Sequence, residues 1–403
     1  MAVIQVSFLA LGAATAMIPW RRIPGWLGPA VLAVVALAIR VTPWHTARSA
    51  GHDLTGAIAF LLLAVPLAVL LDEIGFFGAL AERVGTGRHL RAGLWALAAF
   101  VTIVFNLDAA VVLLTPLYVR IADKRGDDPV LLGAIPALLA CLASSVLPVS
   151  NLTNLIAVQR VHVGVGNFLV HLGLPSVVAI AVGGVLYLRH APDALVQGPT
   201  SVPLDQDSRG CAADASALRL GIPVVVFLLI GFTVGERIGV PAWAVAGTAL
   251  LVLIVLRREV PWRHAPFGAA LLAGGLGILA ASASSHLPVR QLLAIHGIPG
   301  ELATVGATAL GSNAINNLPA VLLTLPGLDQ HPQRIWAVLL GANIGPTLWV
   351  TGALSTLLWQ ATMRRLGHPV TALGYARLAA RVGLPALAAA TAVLVAQVAL
   401  LRG

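Results

Sequence analysis

One aspartate and a set of asparagines lie where the chain is otherwise apolar, and these are the residues that could do chemistry. Asp108 follows Asn106 in FNLDAAVVLLTP (Phe105–Pro116). Asn313, Asn316 and Asn317 fall, with the helix breaker Pro319, inside LGSNAINNLPAVLLTLP (Leu310–Pro326). Two further breaks carry Pro148, Ser150, Asn151, Thr153 and Asn154 in VLPVSNLTN, and Gly341, Asn343, Gly345 and Pro346 in GANIGPTLWVTG. Amides and hydroxyls can both donate and accept, which suits a ligand that does both. An unpaired amide in hydrocarbon is costly, so such groups persist only where protein or a water-filled cavity receives them. Transporters build solute sites in this way, from interrupted helices near the bilayer midplane. The alternative is that the asparagines bind neighbouring helices together. A lone carboxylate at bilayer depth is expensive in its charged form, which makes Asp108 the natural proton carrier; the alternative is a permanently protonated hydrogen-bond donor.

The composition fixes the environment that these residues sit in. Of 403 residues, 58% are hydrophobic and only 10% charged, with mean hydropathy +0.92. A soluble domain carries roughly 25% charged residues, so the chain reads as a polytopic membrane protein. The net charge of +9 is carried by 24 arginines and Lys124. No basic run is interleaved with aromatics, so these charges are read as loops beside anionic lipid, with no nucleic-acid partner. No cleavable signal peptide is evident, since Val3–Ile18 lacks a basic leader. Cys141 and Cys211 make neither a CxxC motif nor a metal cluster. Nucleophile and phosphate motifs are absent, and GGLG (Gly274–Gly277) reads as close helix packing. Neither a cofactor nor an enzymatic activity is expected. His162, His171, His286 and His296 lie at span ends without ligand partners at suitable spacing, and read as structural.

The elements that must position the polar residues follow from length. Val3–Ile18, ended by Pro19 and Arg21–Arg22, Trp26–Ile39 and Leu54–Leu71 read as spans, with a polar loop at Thr42–Asp53. LLDEIGFFGALAERVG then reads as an interfacial helix. Between Arg91 and Arg120 lie 28 residues, and between Glu301 and Asp329 lie 27. One crossing needs about 20 residues and two need about 40, so each stretch fits a re-entrant hairpin with Asn106–Asp108 or Asn316–Asn317 at its tip. Asn106 and Asn316 each precede a proline by ten residues (Pro116, Pro326), and a Leu-Leu-Thr follows each. A broken span follows each hairpin, Val130–Gln159 and Ile335–Met363. The fold expected is therefore all-α, with two inverted repeats, each of three spans, a hairpin, a broken helix and a final span. That makes about 10 spans plus 2 hairpins. The first repeat covers residues 1–190, a cytoplasmic linker 191–217 and the second repeat 218–403, closing with a span near Gly383–Leu400.

Threading the chain in that way puts 18 basic residues on one face and 7 on the other. The positive-inside rule makes the first face cytoplasmic, with both termini external and the protein in the inner (plasma) membrane. Fifteen of the 16 Asp and Glu then fall in loops or at span edges, and Asp108 is the exception.

LLDEIGFF (Leu70–Phe77), FNLDAAVVLLTP, LPVSNLTNLI (Leu147–Ile156), SNAINNLPAVL (Ser312–Leu322) and GANIGPTLWVTGALSTLLW (Gly341–Trp359) resemble the ArsB-type arsenite efflux permeases of the ion transporter superfamily. The likeness runs in order over nearly the whole chain. It implies two repeats with re-entrant hairpins and export of arsenite or antimonite in exchange for protons. A cytosolic ATPase subunit, which some members accept, is a further candidate partner. The family pattern places Asn106, Asp108, Ser150, Asn151, Asn154, Asn316 and Asn317 around the site. Asn313 and Asn343 are added as candidates for binding substrate, and Asp108 is assigned to proton coupling. The chain departs from the pattern in two places. Leu107 separates an Asn-Asp pair that is usually adjacent, and Asn343 and Thr347 stand where the family commonly has Asp and Lys. Arsenite near neutral pH is an uncharged triol, which fits amides and hydroxyls. The competing expectation is a sodium- or proton-coupled carrier of an organic or inorganic anion in the same superfamily. The discontinuous segments hold no Arg or Lys, although paired helix N-termini can bind anions without one. A channel or scaffold is the reading from another class, against which the repeated breaks and Asp108 argue.

Overall fold

The computed structural model describes residues 1–17, 24–83, 89–190 and 215–402, and their regular structure is entirely helical. The first half opens with α1 (Ala2–Met17), α2 (Leu27–Ala38) and α3 (Trp44–Glu73), then a short α4 (Phe76–Arg83). Next come α5 (Leu90–Phe105) and α6 (Leu107–Arg125), which meet at Asn106. The pieces α7 (Pro129–Leu142) and α8 (Leu152–Val161) flank a 3-10 turn at Pro148–Ser150. Then α9 (Val165–Phe168) runs through a π turn into α10 (Leu174–His190). The second half opens with α11 (Ala215–Val234), α12 (Ala242–Arg257), α13 (Phe267–Ala283) and a short α14 (Val289–Leu293). There α15 (Gly297–Ile315) and α16 (Asn317–Leu328) meet at Asn316, and α17 (Ile335–Ile344) and α18 (Leu354–Arg365) flank turns at Gly345–Leu348 and Val350–Gly352. The last helix is α19 (Ala372–Arg402). Pro19, Arg21, Arg22 and the linker at 191–214 lie outside the described residues.

Among the described residues, five helices are long and apolar enough to cross a membrane. They are Trp44–Glu73, Val165–Arg189, Ser216–Val234, Trp262–His286 and Ala372–Leu400. By contrast α1, α2 and α12 have 16, 12 and 16 residues, short of the roughly 20 that a helix crossing at right angles needs.

Local sequence accounts for the joints. Gly126 takes a left-handed φ of 69° at the end of α6, and Asp128 accepts hydrogen bonds from Val130 and Leu131 at the start of α7, with Pro129 in the first turn. That is a helix stop followed at once by a helix start. Packing exchanges elements between the halves: α6 lies against α18, α16 against α8, and α10 against α19. The buried Trp359 indole of α18 donates to Gly133 O of α7 at 2.6 Å. The GGLG segment packs closely, as expected: Gly275 faces the backbone of α2 at Pro29–Ala30, and Gly277 faces Leu54.

Two expectations need correction. The stretch Thr42–Asp53 is no loop, because α3 begins at Trp44 behind the extended Pro43, and no residue up to Asp53 breaks the helix. Pro319 does not break a helix; it sits in the first turn of α16, where its missing N–H has no helical partner to lose. A second acidic residue is also buried, at the start of α15, a span edge. Glu301, at 1% exposure, pairs with Arg334, at 2%, through a 2.6 Å contact. Arg334 further donates to Leu293 O and Ile295 O, which lets the ion pair persist away from water.

Candidate functional site

The two helix junctions are built alike. Asn106 has φ 127° and ψ 152°, and Asn316 has φ 80° and ψ 152°. This region of backbone space is nearly confined to glycine and costs roughly 1–3 kcal/mol for other residues. Asparagine softens that cost with its side chain: Asn106 Oδ1 accepts from Asp108 N at 2.8 Å, and Asn316 Oδ1 from Leu318 N at 3.3 Å. Each asparagine thus ends one helix and caps the next. Four residues before each, a hydroxyl bonds back into its own helix: Thr102 to Ala98 O and Ser312 to Thr308 O.

The broken helices are joined by a buried amide network. Asn151 caps α8 by accepting from Thr153 N, and its Nδ2 donates to Asn343 Oδ1 at 2.5 Å. Asn343 Nδ2 donates to Asn154 Oδ1 at 2.6 Å, and Asn154 Nδ2 donates to Ser144 O at 2.7 Å. Asn343 therefore accepts on one side and donates on the other. A carboxylate could only accept, so asparagine at this position agrees with its neighbours. Thr347, in place of the lysine common in ArsB-type permeases, is buried and donates to Ile344 O.

These segments line a small, partly open cavity of about 40 Å³. Its wall includes Leu107 and Asp108, Asn151 to Thr153, Asn316 to Leu318, and Leu354. Those residues are the N-terminal ends of α6, α8, α16 and α18. Leu61 of α3 and Ala269 and Leu272 of α13 complete it. Each helix N-terminus carries roughly half a positive charge on unsatisfied N–H groups, so four such ends favour electron-rich oxygen in the middle. No Lys or Arg is among the wall residues. The one carboxylate there is Asp108, whose buried Oδ1 has no hydrogen-bond partner among the described residues.

Of the residues expected at the site, Asp108, Asn151, Asn316 and Asn317 line this cavity together. The others stand behind it. Ser150 donates to Ile103 O, tying the first break to α5. Asn154 and Asn343 belong to the amide network. Asn313 donates to Ala309 O and Gly345 O, both at 2.8 Å. Asn106 caps α6, with its Nδ2 buried and unpartnered among the described residues. Thr153, not among the expected binding residues, also lines the cavity, and its place two residues after a capping asparagine is the local signal for it. The apolar wall from α3 and α13 carries no local signal at all. Among the described residues, no three His, Cys, Asp or Glu side chains gather as a metal ion would need.

The profile of the citrate transporter family, CitMHS, matches residues 1–353. An arsenical pump membrane protein of Yersinia enterocolitica is 28% identical over 337 residues, covering 75% of this chain and 77% of the relative. One from Escherichia coli is 27% identical over 389 residues, covering 88% and 89%. Among solved structures, the YdaH transporter of Alcanivorax borkumensis superposes with a TM-score of 0.57 at 14% identity, covering 87% of this chain and 88% of that one. That likeness bears on the fold alone.

Proposed function

Because the chain belongs to the citrate transporter (CitMHS) family, and is a multi-pass membrane transporter rather than an enzyme, we propose that it exports arsenite and antimonite by proton antiport. The observation that carries this reading is one cavity holding a lone carboxylate, Asp108, among the neutral amides of Asn151, Asn316 and Asn317. An uncharged trihydroxide offers three hydroxyls that donate and accept, and amides answer both needs. Asn316 and Asn317 hold the solute, with Asn151 and Thr153 opposite. Asp108 takes up a proton in one facing and gives it up in the other. The names of the relatives point to the same solute class.

The proposed framework is a pair of inverted repeats, with α5–α6 and α15–α16 as re-entrant hairpins and both termini external. Residues 210 positions apart play matching roles in support: Asn106 and Asn316 at the tips, Thr102 and Ser312 behind them, Arg91 and Glu301 near the hairpin bases. Arg91 pairs with Asp127 at 3.8 Å, and Glu301 pairs with Arg334 with the charges reversed. Each ion pair among the described residues also joins residues that the charge threading puts on one face, as with Arg160 and Asp329 or His368 and Asp123.

The second reading, a proton- or sodium-coupled anion carrier, draws on the four helix N-termini and on membership of the citrate transporter family. Uptake into everted vesicles separates the two. Arsenite accumulation driven by an imposed proton gradient, with citrate and sulfate inert, supports arsenite export. Citrate or sulfate flux without arsenite flux overturns it.

A further inference from the structure

A second cavity, of about 240 Å³, lies along four of the helices that line the central one, α3, α8, α13 and α16. On α3 the central wall residue is Leu61, and the second cavity takes Ala50 and Asp53; on α13 the step is from Leu272 to Gly277. On α8 it runs from Thr153 to Arg160, and on α16 from Leu318 to Leu322. At 1.5 Å per helical residue, the shortest offsets, four to eight residues on α3, α8 and α16, amount to about 6–12 Å. They run consistently away from the central site. Between the two lies a thin apolar layer. Leu54 and Leu322 meet over Gly277, whose missing side chain leaves the space that Leu54 fills. Across the second cavity runs a clamp that joins three elements. Arg160, at the end of α8, holds Asp329 beyond α16 through Nε to Oδ1 at 3.0 Å and Nη2 to Oδ2 at 2.7 Å. Its Nη1 holds Asp53 of α3 at 3.1 Å.

We propose that this cavity is a second solute chamber, an outer vestibule in series with the central site, and that the Arg160 clamp governs its opening. The proposal rests on the transport reading above, but not on which solute is carried. Its wall offers Thr46 and Ser49 hydroxyls, so the chamber fits the same small polyhydroxyl or oxyanion solute as the central site. The leucine layer at Gly277 separates the two chambers. The clamp fastens the outer ends of α8 and α16, whose inner ends carry Asn151 and Asn317. Releasing Arg160 therefore frees two walls of both chambers at once. The charges facing the clamp are Asp53 and Asp329, and without the guanidinium these two carboxylates would repel.

Cysteine accessibility tests this without knowledge of the solute. Ala50→Cys places a thiol in the outer chamber, and Leu61→Cys places one in the central cavity. Both are exposed to a membrane-impermeant charged maleimide in right-side-out spheroplasts, with the parent protein as background. Ala50→Cys is expected to react and Leu61→Cys to be spared. Arg160→Gln should speed the Ala50→Cys reaction about fivefold, as the release of a well-formed, half-exposed arginine pair implies. Asp329→Asn gives a smaller increase and serves where Arg160→Gln does not fold. Equal labelling at both cysteines, no labelling at Ala50→Cys, or a rate indifferent to both clamp variants overturns the proposal. Loss of arsenite flux with this labelling pattern intact would instead count against the assigned solute.

Discussion

Truncating Asn343 to alanine removes the side chain that links Asn151 to Asn154. Asn343 accepts from Asn151 Nδ2 at 2.5 Å and donates to Asn154 Oδ1 at 2.6 Å. Asn151 is 3% exposed and Asn154 fully buried, so neither orphaned group gains water in exchange. A buried polar group without its partner costs about 1–3 kcal/mol, and two of them put the loss at about 2–6 kcal/mol. Asn343→Asp keeps the acceptor but sets a carboxylate oxygen against Asn154 Oδ1, so it too destabilises despite equal size. The assay is equilibrium unfolding by SDS in mixed micelles, run as a double-mutant cycle with Asn151→Ala. Removing Asn151 already disposes of one stranded group, so the two losses should overlap by about 1–2 kcal/mol. Losses that add to within about 0.5 kcal/mol would refute a coupled amide network. Transport by Asn343→Ala should show a raised KM, because Asn151 then lacks the neighbour that fixes it at the cavity wall.

Further outcomes follow from the same geometry. Arg334→Met should cost about 3–5 kcal/mol by leaving the Glu301 charge inside without its guanidinium; the double variant with Glu301→Gln should recover most of that in the same unfolding assay. Asn106→Gly and Asn316→Gly relieve the backbone strain while losing the cap, so each should be more stable than its alanine counterpart by about 1–2 kcal/mol. Asn317→Ala should raise the KM for arsenite several-fold with normal insertion, whereas Asn313→Ala, away from the cavity, should act on stability more than on KM.

Much of this architecture is legible in the chain. Polar residues inside apolar runs are improbable unless something receives them, so Asn106, Asp108, Asn151, Asn316 and Asn317 stand out, and segment length brackets the junctions at Asn106 and Asn316. Which amides face the cavity and which only brace it does not show in the residue type. Asn154 and Asn343 look like binding residues, yet they spend their hydrogen bonds on each other, on Asn151 and on Ser144 O. The Glu301–Arg334 pair sits at segment edges in the sequence, and only tertiary packing carries it inside. The polar letters of Thr42–Asp53 read as a loop because polarity is a weak guide to backbone form, and nothing there interrupts a helix. Leu61, Ala269 and Leu272 are apolar among apolar neighbours, so their role as cavity walls comes from the fold alone.

The central claim divides labour between neutral amides that hold the solute and one carboxylate that moves the proton. Asp108→Asn, reconstituted into proteoliposomes, tests it most directly. The account predicts that arsenite flux driven by a pH gradient disappears, while arsenite counterflow at equal pH persists through the intact Asn316 and Asn317 site. Flux by Asp108→Asn that follows the pH gradient as the parent protein does would contradict it.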